Sequence, residues 1–258
     1  MRVEWLGDLG DAPTVFLAVA SGAPASPAAL IGDWFGSRAV IAPSVVAAPV
    51  GRRDVFAAQA GAGDAIGGGW IGYLSYPDAG SSGELPRIPE VAGGWTDSVL
   101  RQDRDEIWWY ESLSGAPMPM WLTRALASTP DRTSCRIDWD DADRDTHRAG
   151  VLACLDAIGA GEVYQACVCT QFAGTVLGSP LEFFADAVAR TSPARAAFVA
   201  GAWGAVASLS PELFLRRRGE TVTSSPIKGT VPASAAPSEL LSSAKDVAEN
   251  IMIVDLVR

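Results

Sequence analysis

Apolar residues recur at helical spacing in the second half of the chain. One such stretch begins at Asp143 and ends at Gly159, which predicts an amphipathic helix. A shorter helix is predicted from Ser179 to Arg190, because Ser-Pro is a typical helix start. A last helix begins near Ser238 and is still apolar when the chain stops, without a Gly, Asn or Pro stop signal. We therefore expect the chain to be a fragment of a longer domain.

Strand-like patterns surround these helices. Four closely spaced runs predict an antiparallel meander, and they cover 196–202, 204–209, 212–218 and 220–224. The stretch 162–172 also alternates and is predicted to be a strand. Its alternation places Gln165, Cys167 and Cys169 on one face.

The first half of the chain predicts strands joined by loops. We interpret Val15–Ala20 as a strand and not as a signal peptide, because acidic residues precede it where a basic segment should stand. The glycines at 67–69 lead into a strand and not into a helix, which argues against a dinucleotide or phosphate loop. The apolar runs within 106–125 predict another hairpin.

Composition narrows the class of protein. The chain has 258 residues, 48% hydrophobic and 19% charged, which is typical of a globular protein. Its net charge of −10 argues against nucleic acid or an anionic membrane as a partner. No apolar run approaches the ~18–20 residues needed to cross a bilayer. We expect a cytoplasmic protein without membrane or nucleic-acid partners.

The cysteines and the lone histidine give little sign of a metal site. Cys167 and Cys169 have neither zinc-ribbon nor redox spacing, and a single histidine, His147, argues against a Cys/His zinc site. We expect all four cysteines, which include Cys135 and Cys154, to be small buried hydrophobes in a reducing compartment.

Lysine usage points to a candidate nucleophile. Of 20 basic residues only Lys228 and Lys245 are lysine. A position that stays lysine in an arginine-rich chain can need a side chain able to lose its proton. A plain surface role is the alternative for both residues.

Three further carboxylates accompany Lys228 in short, distinctive segments. Glu212 lies where two predicted strands meet, and it could act as a general acid if burial raises its pKa. Asp246 and Glu249 share one face of the last helix, and such a pair could supply oxygen ligands to Mg²⁺. The alternatives are an exposed loop lysine and a surface pair between Lys245 and Glu249.

These segments together resemble a known family. SLSPELF around Glu212, PIKGT around Lys228 and KDVAENIMIVDL around Glu249, with GEVYQ around Gln165 before them, resemble the chorismate-utilising enzymes in order and spacing. The family comprises anthranilate synthase and aminodeoxychorismate synthase large subunits, with isochorismate and salicylate synthases as cousins. The resemblance is clear from about residue 143 to 258, weaker at GGWIGYLSY, and slight over the first 60 residues.

Two positions distinguish the branches of the family. Isochorismate and salicylate synthases carry a general-base lysine where this chain has Gln165, so the resemblance argues against water as the nucleophile. Anthranilate synthases usually carry alanine where this chain has Lys228, whereas aminodeoxychorismate synthases usually carry lysine. The resemblance therefore implies the aminodeoxychorismate synthase component I branch, which serves 4-aminobenzoate and folate synthesis.

The resemblance also implies roles for the site residues. Lys228 would attack chorismate as a free amine, Glu212 would protonate the leaving hydroxyl, and ammonia would then displace the lysine. Gln165, Gly229 and Thr230 would line the substrate site.

The resemblance implies a cofactor and partners as well. Mg²⁺ would be held by Glu249, with Asp246 as a further ligand. Ammonia would come from a glutamine amidotransferase subunit.

The implied fold is α+β, with two large antiparallel sheets packed together and helices outside. We expect one chorismate-binding domain over 1–258, truncated at its C-terminus, with a strand-rich part at 1–130 and the start of the catalytic core at 131–258. The family continues for well over a hundred residues more, so the chain alone is expected to be inactive. Anthranilate synthase component I and a non-catalytic remnant that only binds chorismate or its partner are the alternatives.

Overall fold

The computed structural model describes residues 1–57, 65–75, 88–130 and 133–257. The chain folds into two compact units, 1–209 and 210–258. Within the described ranges, no helix is long and apolar enough to cross a membrane.

Helices and strands alternate irregularly along the chain. The α-helices of the described residues are α1 (Ala12–Gly22), α2 (Met120–Leu126), α3 (Arg144–Gly159), α4 (Pro180–Thr191), α5 (Ser238–Ser242) and α6 (Ala244–Val257). The strands are β1 (Arg2–Gly7), β2 (Ala28–Trp34), β3 (Ser37–Ala42), β4 (Ala48–Pro49), β5 (Gly69–Leu74), β6 (Val91–Thr96), β7 (Ser98–Gln102), β8 (Trp108–Ser112), β9 (Arg136–Trp139), β10 (Gly174–Leu177), β11 (Arg195–Gly201), β12 (Gly204–Ser208), β13 (Leu213–Arg218) and β14 (Thr221–Ser225).

A seven-stranded antiparallel sheet forms the centre of the first unit. Its strand order is β1-β8-β7-β3-β2-β11-β12. Helices α1, α2 and α4 cover one face, where Phe16, Phe184 and Phe198 pack with ring centroids 5.3–5.5 Å apart. These rings are almost completely buried, and each contributes roughly 1.5–3 kcal/mol by its removal from water.

A second sheet packs on the opposite face of the first. It contains β4, β6 and β5 in that order. Ala28, Val45 and Val199 are buried between the sheets, with Ile71 of β5 packed against them. The unit therefore has helices, a large antiparallel sheet and a smaller antiparallel sheet in successive layers. This confirms the expected α+β class, with packed antiparallel sheets and helices outside.

One buried ion pair joins these two sheets. Glu111 on β8 is completely buried, and its Oε1 accepts a hydrogen bond from Arg101 Nε at 2.5 Å. Its Oε2 accepts from the backbone N–H groups of Ile66 and Gly67 at 2.7 and 2.9 Å, immediately before β5. The carboxylate thus fixes the chain entering the smaller sheet against the larger one.

Several predicted elements are confirmed. Helix α3 begins after Asp143, whose side chain accepts a hydrogen bond from the Thr146 N–H at 2.9 Å. Helix α4 follows Ser179 as expected. The four strands predicted over 196–224 form as β11 to β14, but the single meander expected from them is wrong, because they pair as two hairpins in different sheets.

The strand predicted at Val15–Ala20 is wrong, because these residues lie in helix α1. Asp11 caps this helix by accepting a hydrogen bond from Thr14 N at 2.7 Å, and Pro13 stands in its first turn. The apolar residues at 15–19 are all buried, so their pattern shows neither the helical period of about 3.6 residues nor the strand period of about 2. Only the cap at Asp11 could have indicated the helix.

Two other predicted strands need correction. The segment 106–125 contains β8 and then helix α2, and β8 pairs with β7 and β1. The strand predicted over 162–172 is wrong, because this stretch pairs with no strand of the described residues. The last predicted helix is divided at Ser243 into α5 and α6.

The turn between β7 and β8 contains a carboxylate with a lowered pKa. Asp103 accepts hydrogen bonds from Trp109 Nε1 at 2.7 Å and from the N–H groups of Asp105 and Ile107 at 3.0 Å. Burial alone would raise the pKa of Asp103, but these hydrogen bonds and the charge of Arg101 outweigh it and hold the pKa below 3.8.

This turn predicts a contribution to stability that depends on pH. A folded-state pKa below the unfolded value stabilises the protein above the unfolded pKa, and the gain is lost as pH falls through the folded value. Asp103→Asn should therefore lower the free energy of unfolding at pH 7 by about 1 kcal/mol. The difference from the parent chain should shrink below about pH 4. Urea unfolding at pH 7 and pH 3 measures both values.

Asp105→Asn is the matched control, because Asp105 lies exposed in the same turn. It should change the free energy of unfolding at pH 7 by no more than about 0.5 kcal/mol, as is usual for an exposed surface position. A constant difference between Asp103→Asn and the parent chain at both pH values would contradict the role assigned to the Asp103 charge.

Candidate active site

The β13–β14 hairpin brings two of the predicted site segments together. Leu213 pairs with Ser225 in antiparallel register, so Glu212 lies opposite the residues that leave β14. The Glu212 Oε1 atom accepts a hydrogen bond from the Ile227 N–H at 2.9 Å. This contact places the Glu212 carboxylate beside the residue that precedes Lys228.

The next residue, Gly229, touches another predicted site carboxylate. Gly229 has φ +75°, in the left-handed region. A Cβ atom at this position would lie 3.1 Å from Asp246 Cγ and 2.8 Å from a methyl of Leu240. The glycine is required both by its backbone conformation and by the close approach of helices α5 and α6.

Lys228 therefore lies between two residues that each contact a predicted acidic group. Glu212 binds the backbone on one side and Asp246 lies against the backbone on the other. The Lys228 side chain is half-buried, Glu212 is exposed, and Thr230 is exposed at the end of the same loop. All these residues belong to the second unit.

Helix α6 presents its two carboxylates from one face. Asp246 and Glu249 are three residues apart and both are half-buried. Ser243 accepts a hydrogen bond from the Asp246 N–H at 3.3 Å, which fixes the start of the helix. The pair supplies oxygen donors to one side of the helix.

The donor set of this pair fits Mg²⁺ better than a transition metal. In the part of the chain that the structure describes, no three His, Cys, Asp or Glu side chains are grouped as metal ligands. Zinc typically needs three or four such protein ligands. Mg²⁺ takes one or two carboxylates and keeps several waters, so Asp246 and Glu249 satisfy its requirement for protein oxygens.

Gln165 lies in the first unit, in the segment that follows helix α3. Its side chain is exposed. The other predicted site residues belong to the second unit, so the hairpin and helix contacts described above do not involve Gln165.

The cysteines contradict the burial expected for them. Cys167 and Cys169 are exposed, and Cys135 and Cys154 are half-buried. The expectation followed from the usual burial of free cysteine. It is wrong here because the segment 162–172 has no neighbouring strand in the described residues to cover this face.

The first unit contains a separate, charged depression of about 960 Å³. Its lining includes Asp11, Gly32, Asp33, Arg38 and Arg104. None of the predicted site residues contributes to this lining.

Comparison with known proteins decides the family. The family model described as chorismate binding enzyme matches residues 41–258, which is most of the chain. The chain belongs to the chorismate binding enzyme family. The match includes all four segments on which the resemblance was based, and it extends through much of the first half, where sequence reasoning found only a weak likeness.

Curated relatives of this chorismate binding enzyme carry related names. An aminodeoxychorismate synthase of Streptomyces pristinaespiralis is 33% identical over 224 residues, covering 74% of this chain and 31% of that protein. The aminodeoxychorismate synthase component 1 of Klebsiella aerogenes is 38% identical over 208 residues, covering 74% of this chain and 46% of that protein. The chain thus spans less than half the length of these relatives.

A solved structure supports the fold. Anthranilate synthase component I from Streptococcus pneumoniae TIGR4 superposes with a TM-score of 0.56 at 23% identity, covering 74% of this chain and 48% of that one. At this identity the likeness establishes only the fold of this chorismate binding enzyme. Its reaction has to be inferred from the residues of the site.

The sequence missed one residue contact that shapes the site. Nothing in the spacing of Gly229 and Asp246 indicates that they touch, because 16 positions separate them and α5 lies between. The PIKGT motif could have suggested a special backbone conformation at its glycine. The motif could not have predicted which helix packs against this glycine.

Proposed function

We propose that this chain is the chorismate-binding part of an aminodeoxychorismate synthase component I. The reaction is chorismate plus ammonia to 4-amino-4-deoxychorismate plus water. The observation that carries the proposal is the position of Lys228, whose two chain neighbours contact Glu212 and Asp246. This arrangement gathers a candidate nucleophile, a candidate acid and a candidate metal ligand around one short loop.

The first step assigned to this loop is a substitution with rearrangement. The Lys228 amine forms a bond to C2 of chorismate, the ring double bond shifts, and the C4–O bond breaks. Glu212 gives its proton to the departing hydroxyl, which leaves as water. One oxygen of Glu212 is held by the Ile227 N–H, so its other oxygen is free to face the substrate.

In the second step ammonia is the nucleophile, and it displaces Lys228 from the intermediate. Ammonia forms a bond to C4, the double bond shifts back, and the C2–N bond to Lys228 breaks. Lys228 leaves as the neutral amine and the proton released by the added ammonia returns to Glu212, so the site ends in its starting state. Splitting one difficult substitution into two covalent steps is the usual advantage of such a nucleophile.

Asp246 and Glu249 are the residues that would hold Mg²⁺ in this proposal. When bound, the ion neutralises a carboxylate of the substrate, a dianion that a chain of net charge −10 would otherwise repel. Gly229 and Thr230 lie on the same loop and are assigned to the ring-binding surface.

The ammonia source and the location complete the proposal. One relative is named component 1, which supports a second component, and we assign that role to a glutamine amidotransferase subunit. All four cysteines are free, in keeping with a reducing, cytoplasmic compartment. Anthranilate synthase component I remains the second candidate, because a relative in Arabidopsis thaliana that is 26% identical over 242 residues is named anthranilate synthase alpha subunit 2.

Product analysis of the full-length gene product tests the proposal. Purified protein is incubated with chorismate, Mg²⁺ and ammonium, and the products are separated and identified by mass. We expect 4-amino-4-deoxychorismate, with no release of pyruvate. Reactions without ammonium or with the metal chelated are the controls, and both should form no aminated product.

Two outcomes would contradict the assignment. Formation of anthranilate with stoichiometric pyruvate would place the protein in the other branch. Binding of chorismate without any turnover, while ammonium and Mg²⁺ are saturating, would favour a non-catalytic role.

A further inference from the structure

A single extended residue separates the two helices of the second unit. Ser243 has φ −72° and ψ 107°, so the helical backbone of α5 stops there and α6 begins at Ala244. Ser243 is half-buried, whereas the preceding Ser242 is exposed. The direction in which α6 leaves α5 is therefore set at Ser243.

Ser243 caps the first turn of α6 with two hydrogen bonds. Its hydroxyl oxygen accepts from the Asp246 N–H at 3.3 Å, and its carbonyl oxygen accepts from the Val247 N–H at 3.0 Å. This arrangement is usual at a helix N-cap, where the side chain pairs with a backbone donor that the helix leaves unpaired. The hydroxyl thus holds the backbone of a residue that carries one of the two candidate Mg²⁺ ligands.

The residues on either side of Ser243 contact the loop that carries Lys228. A Cβ atom on Gly229 would lie 2.8 Å from a methyl of Leu240 in α5 and 3.1 Å from Asp246 Cγ in α6. Because both helices touch the same glycine, a change in the angle between them would move Asp246 relative to the loop. The cap at Ser243 therefore couples the start of α6 to the position of Lys228.

We propose that Ser243 is a positioning residue of this active site, whose cap keeps Asp246 and Glu249 arranged to hold Mg²⁺ and in register with the Lys228 loop. The inference rests on the proposed function, because it takes the α6 pair as the ligands of the metal in that reaction. Ser243 acts through the backbone of α6 and takes no part in making or breaking bonds.

Loss of the cap should weaken metal binding more than the chemical step. Without the hydroxyl, the first turn of α6 frays, and only the molecules with an ordered turn present both carboxylates. The apparent affinity for Mg²⁺ falls by that fraction, whereas saturating Mg²⁺ restores the ordered turn. The usual cost of losing an N-cap corresponds to a factor of about five in this equilibrium.

The Mg²⁺ dependence of turnover by the full-length gene product tests this consequence, with chorismate and ammonium saturating. In Ser243→Ala, the Mg²⁺ concentration that gives half the maximal rate should rise about fivefold, while kcat at saturating Mg²⁺ stays within about twofold of the parent value. Ser242→Ala is the matched control, because the Ser242 hydroxyl donates to the Glu239 carbonyl within α5 at 3.1 Å. It should leave both values unchanged.

Two further substitutions separate a cap from ordinary packing. Threonine and glycine are both accepted at N-cap positions, whereas alanine is disfavoured there. Ser243→Thr should restore most of the parent Mg²⁺ dependence. Ser243→Gly removes more atoms than Ser243→Ala, yet it should raise the Mg²⁺ requirement less. A packing role for Ser243 predicts the opposite order of the glycine and alanine variants.

Hydrogen exchange of the backbone amides provides a measurement that needs no turnover. In Ser243→Ala, the amides of Asp246 and Val247 should exchange about fivefold faster than in the parent protein, and addition of Mg²⁺ with chorismate should reduce the difference. If the parent protein forms no aminated product, these exchange rates still report whether the cap orders the α6 carboxylates. Failure of the proposed function and failure of this inference are therefore distinguishable.

Two results would overturn the inference, each for variants that circular dichroism shows to be folded. One is a Ser243→Ala protein that keeps the parent Mg²⁺ dependence, because the order of the first turn would then not matter to the metal. The other is a Ser243→Gly protein that needs more Mg²⁺ than Ser243→Ala, because Ser243 would then act by packing and not as a cap.

Discussion

Lys228→Ala should reduce turnover of chorismate by at least about a thousandfold, equivalent to about 4 kcal/mol of transition-state stabilisation. The variant lacks the only amine on the loop that contacts both Glu212 and Asp246. Without it, the covalent step has no nucleophile, and direct attack of ammonia on C4 must proceed by a slower route. The kcat of the full-length gene product with ammonium as nitrogen source measures the loss.

Two further lysine variants test whether the loss of turnover is caused by the missing amine or by the missing charge. Lys228→Arg keeps the positive charge but cannot supply a free amine, so it should be as inactive as the alanine variant. Lys245→Ala removes the other lysine, which is exposed on α6, and it should retain most of the activity. Unchanged turnover in Lys228→Ala would remove the covalent mechanism, and full activity in Lys228→Arg would reduce the role of Lys228 to its charge.

A covalent adduct provides an independent measurement. Parent protein given chorismate and Mg²⁺ without ammonium should accumulate a species heavier by the mass of chorismate less water. The adduct should be located on the peptide containing residue 228 and be absent from both Lys228 variants. Absence of the adduct with normal turnover would also argue against the covalent step.

Glu111→Gln should lower the free energy of unfolding by about 3–5 kcal/mol, the usual cost of breaking a buried ion pair. Glu111 is 0% exposed and accepts three hydrogen bonds, from Arg101, Ile66 and Gly67. Glutamine has the same size as glutamate, but an NH₂ group replaces one of the two acceptor oxygens. That NH₂ group then faces a donor and cannot accept its hydrogen bond. The variant therefore leaves the Arg101 charge without its counter-ion and crowds two backbone donors.

Urea unfolding at pH 7 measures this loss, with Glu4→Gln as the matched control. Glu4 pairs with Arg2 at 2.9 Å on the exposed surface, where an ion pair contributes at most about 1 kcal/mol. If the glutamine variant of Glu111 fails to fold, adding Arg101→Met should recover folded protein, since no unpaired charge remains and the glutamine oxygen can accept from the two backbone donors. Equal stability of the Glu111 and Glu4 variants would contradict the structural role of the buried pair.

Local chemistry explains which elements the sequence predicted. Helix α3 has its cap at Asp143 and a clear apolar stripe, and strands β11 to β14 are separated by short turns. These signals act within a few residues and need no partner. Helix α1 was mistaken for a strand because all its central residues are buried, and a fully apolar run has no period to distinguish the two structures.

The sequence by itself determined the family and the candidate chemistry of this chain. The order of Gln165, Glu212, Lys228 and Glu249 within distinctive segments needed no coordinates, and the family match over 41–258 agrees with it. Residue identity alone indicated a nucleophile, an acid and a carboxylate pair, because these are properties of side chains.

Only the tertiary structure decided which of these groups touch. Register in the β13–β14 hairpin puts Glu212 beside Ile227, and the packing of α6 on Gly229 brings in Asp246. It also decided that Glu111 ties two sheets together. Contacts between residues distant in sequence depend on how elements pack, and the free energy of that packing belongs to the whole fold and not to any short stretch of sequence.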